Sequence, residues 1–254
     1  VDREGLIEAS ALSQFFKVPL LHLSFEIYFA SETSKKFKAI EIEASKRICH
    51  LIVQDEVRAQ ALIYENHLLS TRVSHIPVSS KGLGEFSERR LRDDLGIPIN
   101  KKVAIFMGSL YPWSMFKQVL EQVSNLPDDW VIIVNERYGQ AAQYLAELEF
   151  DQTLINSKIF ISNYPVGIVD KMGYVLSGVN AGLAFYNPTY DDPSTGLNLA
   201  KLGMASGKIS TYLRYGVPII INELGLISDM TREQNFGIVI AGPAELPKAL
   251  LDLE

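Results

Sequence analysis

From Lys101 onward, short apolar runs alternate with amphipathic stretches, and this alternation restricts the folds that the chain can adopt. Six runs have the length and residue types of buried strands: 103–107, 130–135, 158–162, 179–186, 217–222 and 236–240. Helical spacing of apolar residues lies between most of them, at 113–124, 139–148, 166–176 and 209–215. Strands that alternate with helices in this way form a parallel sheet covered on both faces. Residues 101–254 are therefore predicted to form one complete Rossmann-like domain.

The first part of the chain has fewer strands. Predicted strands lie at 18–25, 49–54 and 72–78, and predicted helices at 4–17, 32–47 and 55–67. The sequence turns polar after Pro77, which indicates a domain boundary. We predict a small α/β domain over residues 1–84, a linker over 85–100 with a short helix at 85–95, and the second domain over 101–254. Three strands are too few for a complete doubly wound sheet, so we expect the first domain to be incomplete and the chain, which begins at Val1, to be a fragment or processed product.

Composition excludes several classes of protein. The net charge of −6 and the isoelectric point of about 5.4 disfavour a nucleic-acid partner, because nucleic-acid-binding domains are basic. Cys49 is the only cysteine, so an internal disulfide cannot form and a cytoplasmic location is expected. No apolar run approaches the roughly 20 residues that span a bilayer. The lysines within 35–38 are consistent with a surface that contacts the inner face of a membrane. The alternative is that they form an ordinary solvated helix face.

Motifs for common cofactors are absent from the sequence. No GxGxxG pattern follows a predicted strand, and the sequence contains no GxxxxGK[ST] or GxSxG motif. The four histidines and the single cysteine have no recognisable zinc spacing. We therefore expect neither a cofactor nor a metal, and a dehydrogenase, a P-loop kinase and an α/β-hydrolase are disfavoured.

The most informative functional pattern lies between Val179 and Asn222. A long polar loop there links two apolar runs and ends in Ser206-Gly207-Lys208, directly before a predicted helix. A small-residue loop before a helix presents unpaired backbone N–H groups and the positive end of the helix dipole, which suits a phosphate. Lys208 adds a full positive charge. The alternative is that Gly207 only makes a turn and that Lys208 is a solvated lysine.

Two other predicted strands end in residues that suit a ligand. Gly108 and Ser109 follow the first strand of the second domain, where small residues let the backbone approach a bound molecule. Glu26 follows the first strand of the chain, and ligands in α/β sheets gather at such strand ends. His22 lies within that strand, and a packed position in a helix–sheet interface explains it as well as catalysis does.

These stretches resemble nucleotide-sugar glycosyltransferases with the two-Rossmann-domain B-type fold (GT-B), in the large retaining group. The order Lys208, Tyr212-Leu213, Gly216 and Val217-Pro218-Ile219 is similar to their donor-binding region. GSL after the first strand of the second domain and IFISNYP after the third also follow the family pattern, and Ser24-Phe25-Glu26 resembles a strand end in the family's first domain. The implied fold is two Rossmann-like domains, the first incomplete.

The resemblance implies a metal-independent hexosyltransferase without a cofactor, which moves a sugar from a nucleotide diphosphate sugar to a glycan or lipid-linked acceptor. It implies Glu26 and Lys208 as catalytic residues. Contacts with the base are implied for Tyr164 and Pro165, contacts with the sugar or phosphates for Asn187, Thr195, Gly196 and Asn198, and contacts with the diphosphate for Gly108, Ser109, Ser206, Gly207 and Lys208. It also implies that part of the acceptor-side domain is absent, so we expect a second copy or a partner chain to cover the incomplete domain.

The sequence departs from the family pattern at the ribose and phosphate positions. Many members have two glutamates eight residues apart, and the corresponding positions here are Gly203 and Thr211. Members often have a basic residue soon after the first-strand glycine, whereas no Arg or Lys follows Gly108 before Lys117. These departures leave open a non-catalytic, transferase-like module that binds a partner chain. A sugar-nucleotide epimerase on the same fold is a third alternative.

Overall fold

The computed structural model describes residues 1–68, 71–79, 82–136, 138–162 and 172–253. Its strands are β1 (Leu20–Leu23), β2 (Ile48–Val53), β3 (Arg72–His75), β4 (Lys102–Gly108), β5 (Trp130–Glu136), β6 (Ile159–Ser162), β7 (Ala181–Ala184), β8 (Ile219–Asn222) and β9 (Gly237–Ile240). Its α-helices are α1 (Asp2–Phe16), α2 (Lys35–Ser45), α3 (Glu56–Glu65), α4 (Leu91–Asp94), α5 (Phe116–Leu120), α6 (Ala141–Glu147), α7 (Met172–Leu176), α8 (Leu197–Ala200), α9 (Gly207–Arg214), α10 (Leu226–Gln234) and α11 (Leu246–Leu251). No helix in this described part of the chain is long and apolar enough to cross a membrane.

The chain forms two compact units whose boundaries differ from the predicted domain boundaries. The first unit contains residues 1–78, 188–206 and 224–227, and the second contains 79–187, 207–223 and 228–254. Backbone hydrogen bonds explain why the loop 188–206 belongs to the first unit, since the N–H of Val78 donates to the carbonyl of Met204 at 3.0 Å. The predicted linker lies in the second unit, because the buried Arg92 of α4 donates to the carbonyl oxygens of Gly178 and Lys101 at 3.1 and 2.9 Å.

The first unit is built on a three-stranded parallel sheet in the order β1-β2-β3, which confirms the small α/β sheet predicted from sequence. Its core consists of apolar side chains from α1, the three strands and α3, among them Leu6, Leu51 and Leu62. The predicted lysine surface is wrong at Lys38, which is buried and donates to Asn66 Oδ1 at 2.7 Å. Burial is tolerated there because Glu41 lies 3.3 Å from the ammonium.

Large apolar side chains are exposed on α1 and β1 of the first unit. Phe15 is 78% exposed, Phe16 63% and Leu21 62%. Exposed apolar residues are common on protein surfaces when they occur singly, but here three occur on neighbouring elements. The prediction that a second copy or a partner chain covers this unit stays a prediction.

The second unit confirms the predicted six-stranded parallel sheet. The strand order is β6-β5-β4-β7-β8-β9, so the order reverses between β4 and β7. Every residue of β5 is buried, which explains why this strand reads as a continuous apolar run in the sequence. In open α/β sheets, ligands bind at the carboxyl ends of the strands at such a reversal. A ligand site is therefore expected at the carboxyl ends of β4 and β7.

Tyr212 fixes helix α9 over the centre of this sheet. The tyrosine is fully buried, and its hydroxyl lies 3.1 Å from the carbonyl oxygen of Ile105 in β4 and 3.3 Å from that of Leu183 in β7. Gly182 leaves the space for its ring, because a Cβ at that position would lie 2.5 Å from ring atoms. The amino end of α9 is therefore held next to the strand reversal.

Candidate functional site

A cavity of about 560 Å³ lies in the second unit at the carboxyl ends of β4 and β7. Its walls include Gly108 and Ser109 from the end of β4 and Gly207 and Lys208 from the first turn of α9. The structure thus brings together four of the residues that the sequence nominated for phosphate contacts. This volume is within the range of small-ligand sites.

Lys208 is the group that defines the chemistry of this cavity. Its Nζ is buried and has no hydrogen-bond partner among the described residues. Burial lowers the pKa of Lys208 to about 8. A buried ammonium without a counter-ion is costly, so the cavity is suited to an anion that would neutralise it.

Aromatic rings surround the ammonium. The Nζ of Lys208 lies 5.0 Å from the ring centroids of both Phe106 and Tyr186, a distance at which ring faces attract a cation. Gly108 lies beside the lysine, and its φ of +107° is a backbone conformation that residues with a side chain rarely adopt. The lysine is therefore held in the cavity by packing, with its charge available to a ligand.

Sequence reasoning missed the aromatic part of the cavity. Trp113 and Tyr186 both line it, and their rings are stacked at 5.9 Å with an interplanar angle of 16°. Tyr111 and Tyr138 also line it and are exposed. A signal was present in the sequence, because Tyr111 and Trp113 directly follow the Gly108-Ser109 strand end.

A reciprocal pair of hydrogen bonds fixes Tyr186. Its N–H donates to Oδ1 of Asn222 at 2.9 Å, and Nδ2 of Asn222 donates to its carbonyl oxygen at 2.8 Å. Asn222 is the last residue of β8, so this pair joins the ends of two neighbouring strands. The pair therefore fixes the backbone position from which the Tyr186 ring enters the cavity wall.

Thr211 occupies the position at which the family pattern has a glutamate, and it lines the cavity. Its Oγ1 donates to the carbonyl oxygen of Gly207 at 2.7 Å, a bond within the helix. The hydroxyl hydrogen is therefore directed to the helix backbone, and the oxygen lone pairs remain for a ligand.

In the first unit, Glu26 and Asn198 are in direct contact. The side-chain amide of Asn198 donates to the Glu26 carboxylate, while its Oδ1 accepts from the N–H of Ile27 at 2.9 Å and from Nη2 of Arg58 at 3.1 Å. Burial raises the pKa of Glu26. The buried Arg58 also donates to Gln54 Oε1 at 2.7 Å. Asn198 therefore holds the Glu26 carboxylate, and Arg58 in turn holds Asn198.

The remaining nominated residues lie elsewhere. Asn187 is in the second unit, where its N–H donates to the carbonyl oxygen of Trp113 at 2.7 Å. Thr195, Gly196 and Ser206 are in the first unit. Tyr164 and Pro165 lie outside the described residues. That any of the residues named from the sequence contacts a ligand stays a prediction.

His22, the histidine in β1, is buried. His22 is 3% exposed, and neither of its ring nitrogens has a hydrogen-bond partner in the described part of the chain. Burial lowers the pKa of His22 to about 4, so the imidazole is neutral at pH 7. Within the same ranges, no three His, Cys, Asp or Glu residues are grouped so that they could hold a metal ion.

Similarity to known proteins is found among solved structures. No protein-family model matches the sequence, and no curated protein matches it either. The chain is similar to Anabaena Alr3699/HepE, solved in complex with UDP, at a TM-score of 0.68 and 14% identity over 98% of this chain and 67% of that one. It is similar to WaaG, a glycosyltransferase involved in lipopolysaccharide biosynthesis, at a TM-score of 0.60 and 13% identity over 92% of this chain and 66% of that one.

Sucrose-phosphate synthase from Thermosynechococcus elongatus is similar as well, at a TM-score of 0.65 and 12% identity over 96% of this chain and 61% of that one. These structures have the GT-B fold of glycosyltransferases, and the likeness shows that this chain has that fold, which confirms the predicted fold class. The chain spans about two thirds of the length of the structures that it matches, or slightly less.

Proposed function

We propose that this chain binds a nucleoside diphosphate sugar in the cavity of the second unit and is the donor-binding part of a glycosyltransferase. The observation that carries the proposal is the buried Lys208 ammonium, which has no partner among the described residues and lies at the strand reversal. A diphosphate would supply the missing counter-charge through charge-assisted hydrogen bonds. HepE, a protein of the same fold, was solved with UDP and with UDP-glucose, which supports this ligand class.

The proposed chemistry requires little covalent participation by the protein. When the bond between the sugar and the diphosphate breaks, negative charge develops on the departing phosphate oxygens. Lys208 and the backbone N–H groups at the start of α9 would stabilise that charge, and a site with prearranged donors needs no reorganisation as the bond breaks. The sugar passes to a glycan or lipid-linked acceptor in this proposal.

Glu26 is the second catalytic group that we propose. Burial raises the pKa of its carboxyl, and the amide of Asn198 holds one carboxylate oxygen. A carboxyl group with a raised pKa can exchange a proton with an acceptor hydroxyl near neutral pH. In this role Glu26 would be a general base toward the acceptor.

A non-catalytic module that binds a partner chain is the second candidate. It is favoured by Gly203 and Thr211, which stand where many family members have glutamates. Without those carboxylates, a transferase-like chain could retain the cavity and lose turnover. This candidate predicts one of two results. Either no nucleotide sugar binds, or one binds and no nucleoside diphosphate is released when acceptor is added.

Two measurements distinguish these candidates. Thermal shift with UDP-, GDP-, ADP- and dTDP-sugars identifies the donor, and release of the nucleoside diphosphate on addition of acceptor reports transfer.

We expect Lys208→Ala to weaken the affinity for the donor roughly 10- to 150-fold, the effect of losing one charge-assisted contact. Lys117→Ala is the matched control, because Lys117 is exposed on α5 and should leave the affinity unchanged. Equal affinity of wild type and Lys208→Ala would move the phosphate site elsewhere, and no binding to any donor would favour the second candidate.

A further inference from the structure

The side-chain amide of Asn198 makes its full set of hydrogen bonds within the first unit. Its oxygen accepts from the N–H of Ile27 at 2.9 Å and from Nη2 of Arg58 at 3.1 Å. Its nitrogen donates to the Glu26 carboxylate and to the carbonyl oxygen of Ser194, the latter at 3.2 Å. An asparagine side chain has two acceptor positions and two donor positions, and all of them are used here.

The neighbours of Asn198 determine which end of the amide faces Glu26. A backbone N–H and a guanidinium can only donate, so the atom that faces Ile27 and Arg58 must be the oxygen. The NH₂ group is therefore directed at the carboxylate of Glu26 and cannot turn away without the loss of every bond. A hydrogen bond donated to a carboxylate stabilises its charged form.

Glu26 is fixed at its backbone and remains partly accessible at its side chain. Its N–H donates to Oδ1 of Asp2 at 3.0 Å, and its carbonyl oxygen accepts from Oγ of Ser24 at 2.8 Å. The residue is half-buried, whereas Asn198 and Arg58 are buried. A ligand can therefore reach the carboxylate but not the two groups that hold it.

Burial and the amide of Asn198 have opposite effects on Glu26. Burial raises the pKa of the carboxyl group, and the hydrogen bond from Asn198 is the strongest effect that lowers it. The positive charge of Arg58 lowers this pKa as well, and the negative charges of Asp2 and Asp192 raise it. Asn198 is thus the main neutral group that opposes protonation of Glu26.

We infer that Asn198 is a positioning residue that holds Glu26 as a charged carboxylate, so that Glu26 can act as the base of the proposed transfer. This inference rests on the proposed function. In that reaction the proton of the acceptor hydroxyl moves to a Glu26 oxygen. The hydroxyl oxygen bonds to the sugar carbon, and the diphosphate leaves with the electron pair of the broken bond. A base must be unprotonated before this step, which is the state that the Asn198 amide favours.

Asn198→Asp tests the donor half of the amide alone. The new side chain keeps an oxygen for the N–H of Ile27 and for Arg58, so these contacts are retained. Its second oxygen replaces the NH₂ group and meets the Glu26 carboxylate. Two carboxyl groups in contact cannot both ionise easily, and Arg58 favours the charge on the new one, so a proton is retained on Glu26.

Asn66→Asp is the matched control. Asn66 is also a buried asparagine of the first unit, and its Oδ1 accepts from Nζ of Lys38 at 2.7 Å while its Nδ2 donates to Oε1 of Glu41 at 2.9 Å. The same chemical change is therefore made in a similar network that does not include Glu26.

NMR titration of isotope-labelled glutamate side chains measures the ionisation of Glu26 without any ligand, and Glu26→Gln identifies its signal. We expect the apparent pKa of Glu26 to rise by about one to two pH units in Asn198→Asp, the effect of losing one charge-assisted hydrogen bond. Asn66→Asp should leave this pKa unchanged. An unchanged pKa in Asn198→Asp would overturn the inference.

The pH profile of turnover tests the link to the reaction. The probes are UDP-, GDP-, ADP- and dTDP-glucose with water as the acceptor, and the readout is release of the nucleoside diphosphate. In Asn198→Asp the acid limb of kcat/KM should move to higher pH by the same amount as the NMR titration. A limb that stays in place while the NMR titration moves would overturn the positioning role. If wild type releases no nucleoside diphosphate from any of the probes, the proposed function fails first and the inference fails with it.

A double variant keeps the test decisive if Asn198→Asp is too unstable to titrate. Glu26→Gln combined with Asn198→Asp exchanges the donor and the acceptor, so that an amide again faces a carboxylate. At pH 7 its urea midpoint should lie above that of Asn198→Asp, because two facing carboxyl groups have become a hydrogen-bonded pair. A midpoint equal to or below that of Asn198→Asp would contradict the inference.

Discussion

Gly182 of β7 lies directly beneath the ring of Tyr212, and the absence of a side chain at this glycine allows α9 to pack on the sheet. A Cβ at Gly182 would lie 2.5–2.7 Å from three atoms of the Tyr212 ring. Tyr212 is 0% exposed, so the ring has no room to retreat. The same helix carries Lys208 in its first turn. The position of the proposed phosphate site therefore depends on this contact.

Gly182→Ala should destabilise the protein. Overpacking of a buried contact typically costs about 1–3 kcal/mol, and urea unfolding at pH 7 measures it. Gly5→Ala is the matched control, because Gly5 lies within α1 and a Cβ there meets nothing within 4 Å. That change should stabilise the protein by about 0.5–1 kcal/mol, since alanine favours a helix interior. Similar unfolding midpoints for Gly182→Ala and wild type would show that α9 can shift.

His22 should make the folded state sensitive to acid. Burial lowers its pKa in the folded state to about 4, whereas the ordinary value is near 6.5. Between these values the unfolded chain binds the proton more readily, so stability is fully present above pH 6.5 and falls as the pH drops toward 4. The whole shift corresponds to about 3 kcal/mol.

His22→Phe removes this titration and keeps a large apolar side chain in the core. Its free energy of unfolding, measured in urea between pH 7 and pH 5, should fall less steeply with decreasing pH than that of wild type. Parallel profiles for the two proteins would mean that His22 is not the group responsible.

Lys208 should make anion binding sensitive to alkali. Its pKa is lowered to about 8, and an anion binds the ammonium form, so binding takes up a proton at pH values above 8. The affinity should be nearly constant from pH 7 to 7.5 and should fall toward tenfold per pH unit above pH 8. Calorimetry of UDP binding between pH 7 and pH 9.5 measures this slope. Lys208→Met should bind weakly at every pH without the slope, and an equal slope in the variant would assign the titration to another group.

Arg58 should be important for the stability of the first unit. Its guanidinium is buried and donates to Gln54, to Asn198 and to the carbonyl oxygen of Lys201. Arg58→Met removes these hydrogen bonds and takes from the buried Gln54 the donor to its Oε1, so we expect a loss of about 3 kcal/mol or more in the free energy of unfolding. Arg47→Met, at an exposed position in the same unit, should change it by less than about 0.5 kcal/mol. Equal effects of the two changes would show that the Arg58 network contributes no stability.

The strands were predictable from the sequence, whereas several helices were not. β5 is buried along its whole length and has a continuous apolar signature. Helix α10 has no such signature, because Ser228 and Thr231 are among its fully buried residues and interrupt the apolar period. The predicted helix at 113–124 is divided, since Met115 adopts a φ of +56° that its residue type does not indicate.

The candidate site was predictable only where its residues are adjacent in sequence. Ser206-Gly207-Lys208 before a helix indicates an anion site on local grounds alone. The burial of Lys208 against Phe106 and Tyr186 comes from tertiary packing, which no local pattern contains. The contact between Glu26 and Asn198 arises because the loop 188–206 folds onto the first unit, a long-range pairing that sequence spacing cannot reveal.

A structure of the protein with bound UDP tests the central claim most directly. The account predicts that a diphosphate oxygen lies about 2.7–2.9 Å from the Nζ of Lys208, within the cavity that Gly108 and Gly207 line. A diphosphate bound elsewhere, with the Lys208 ammonium still unpaired, would contradict it.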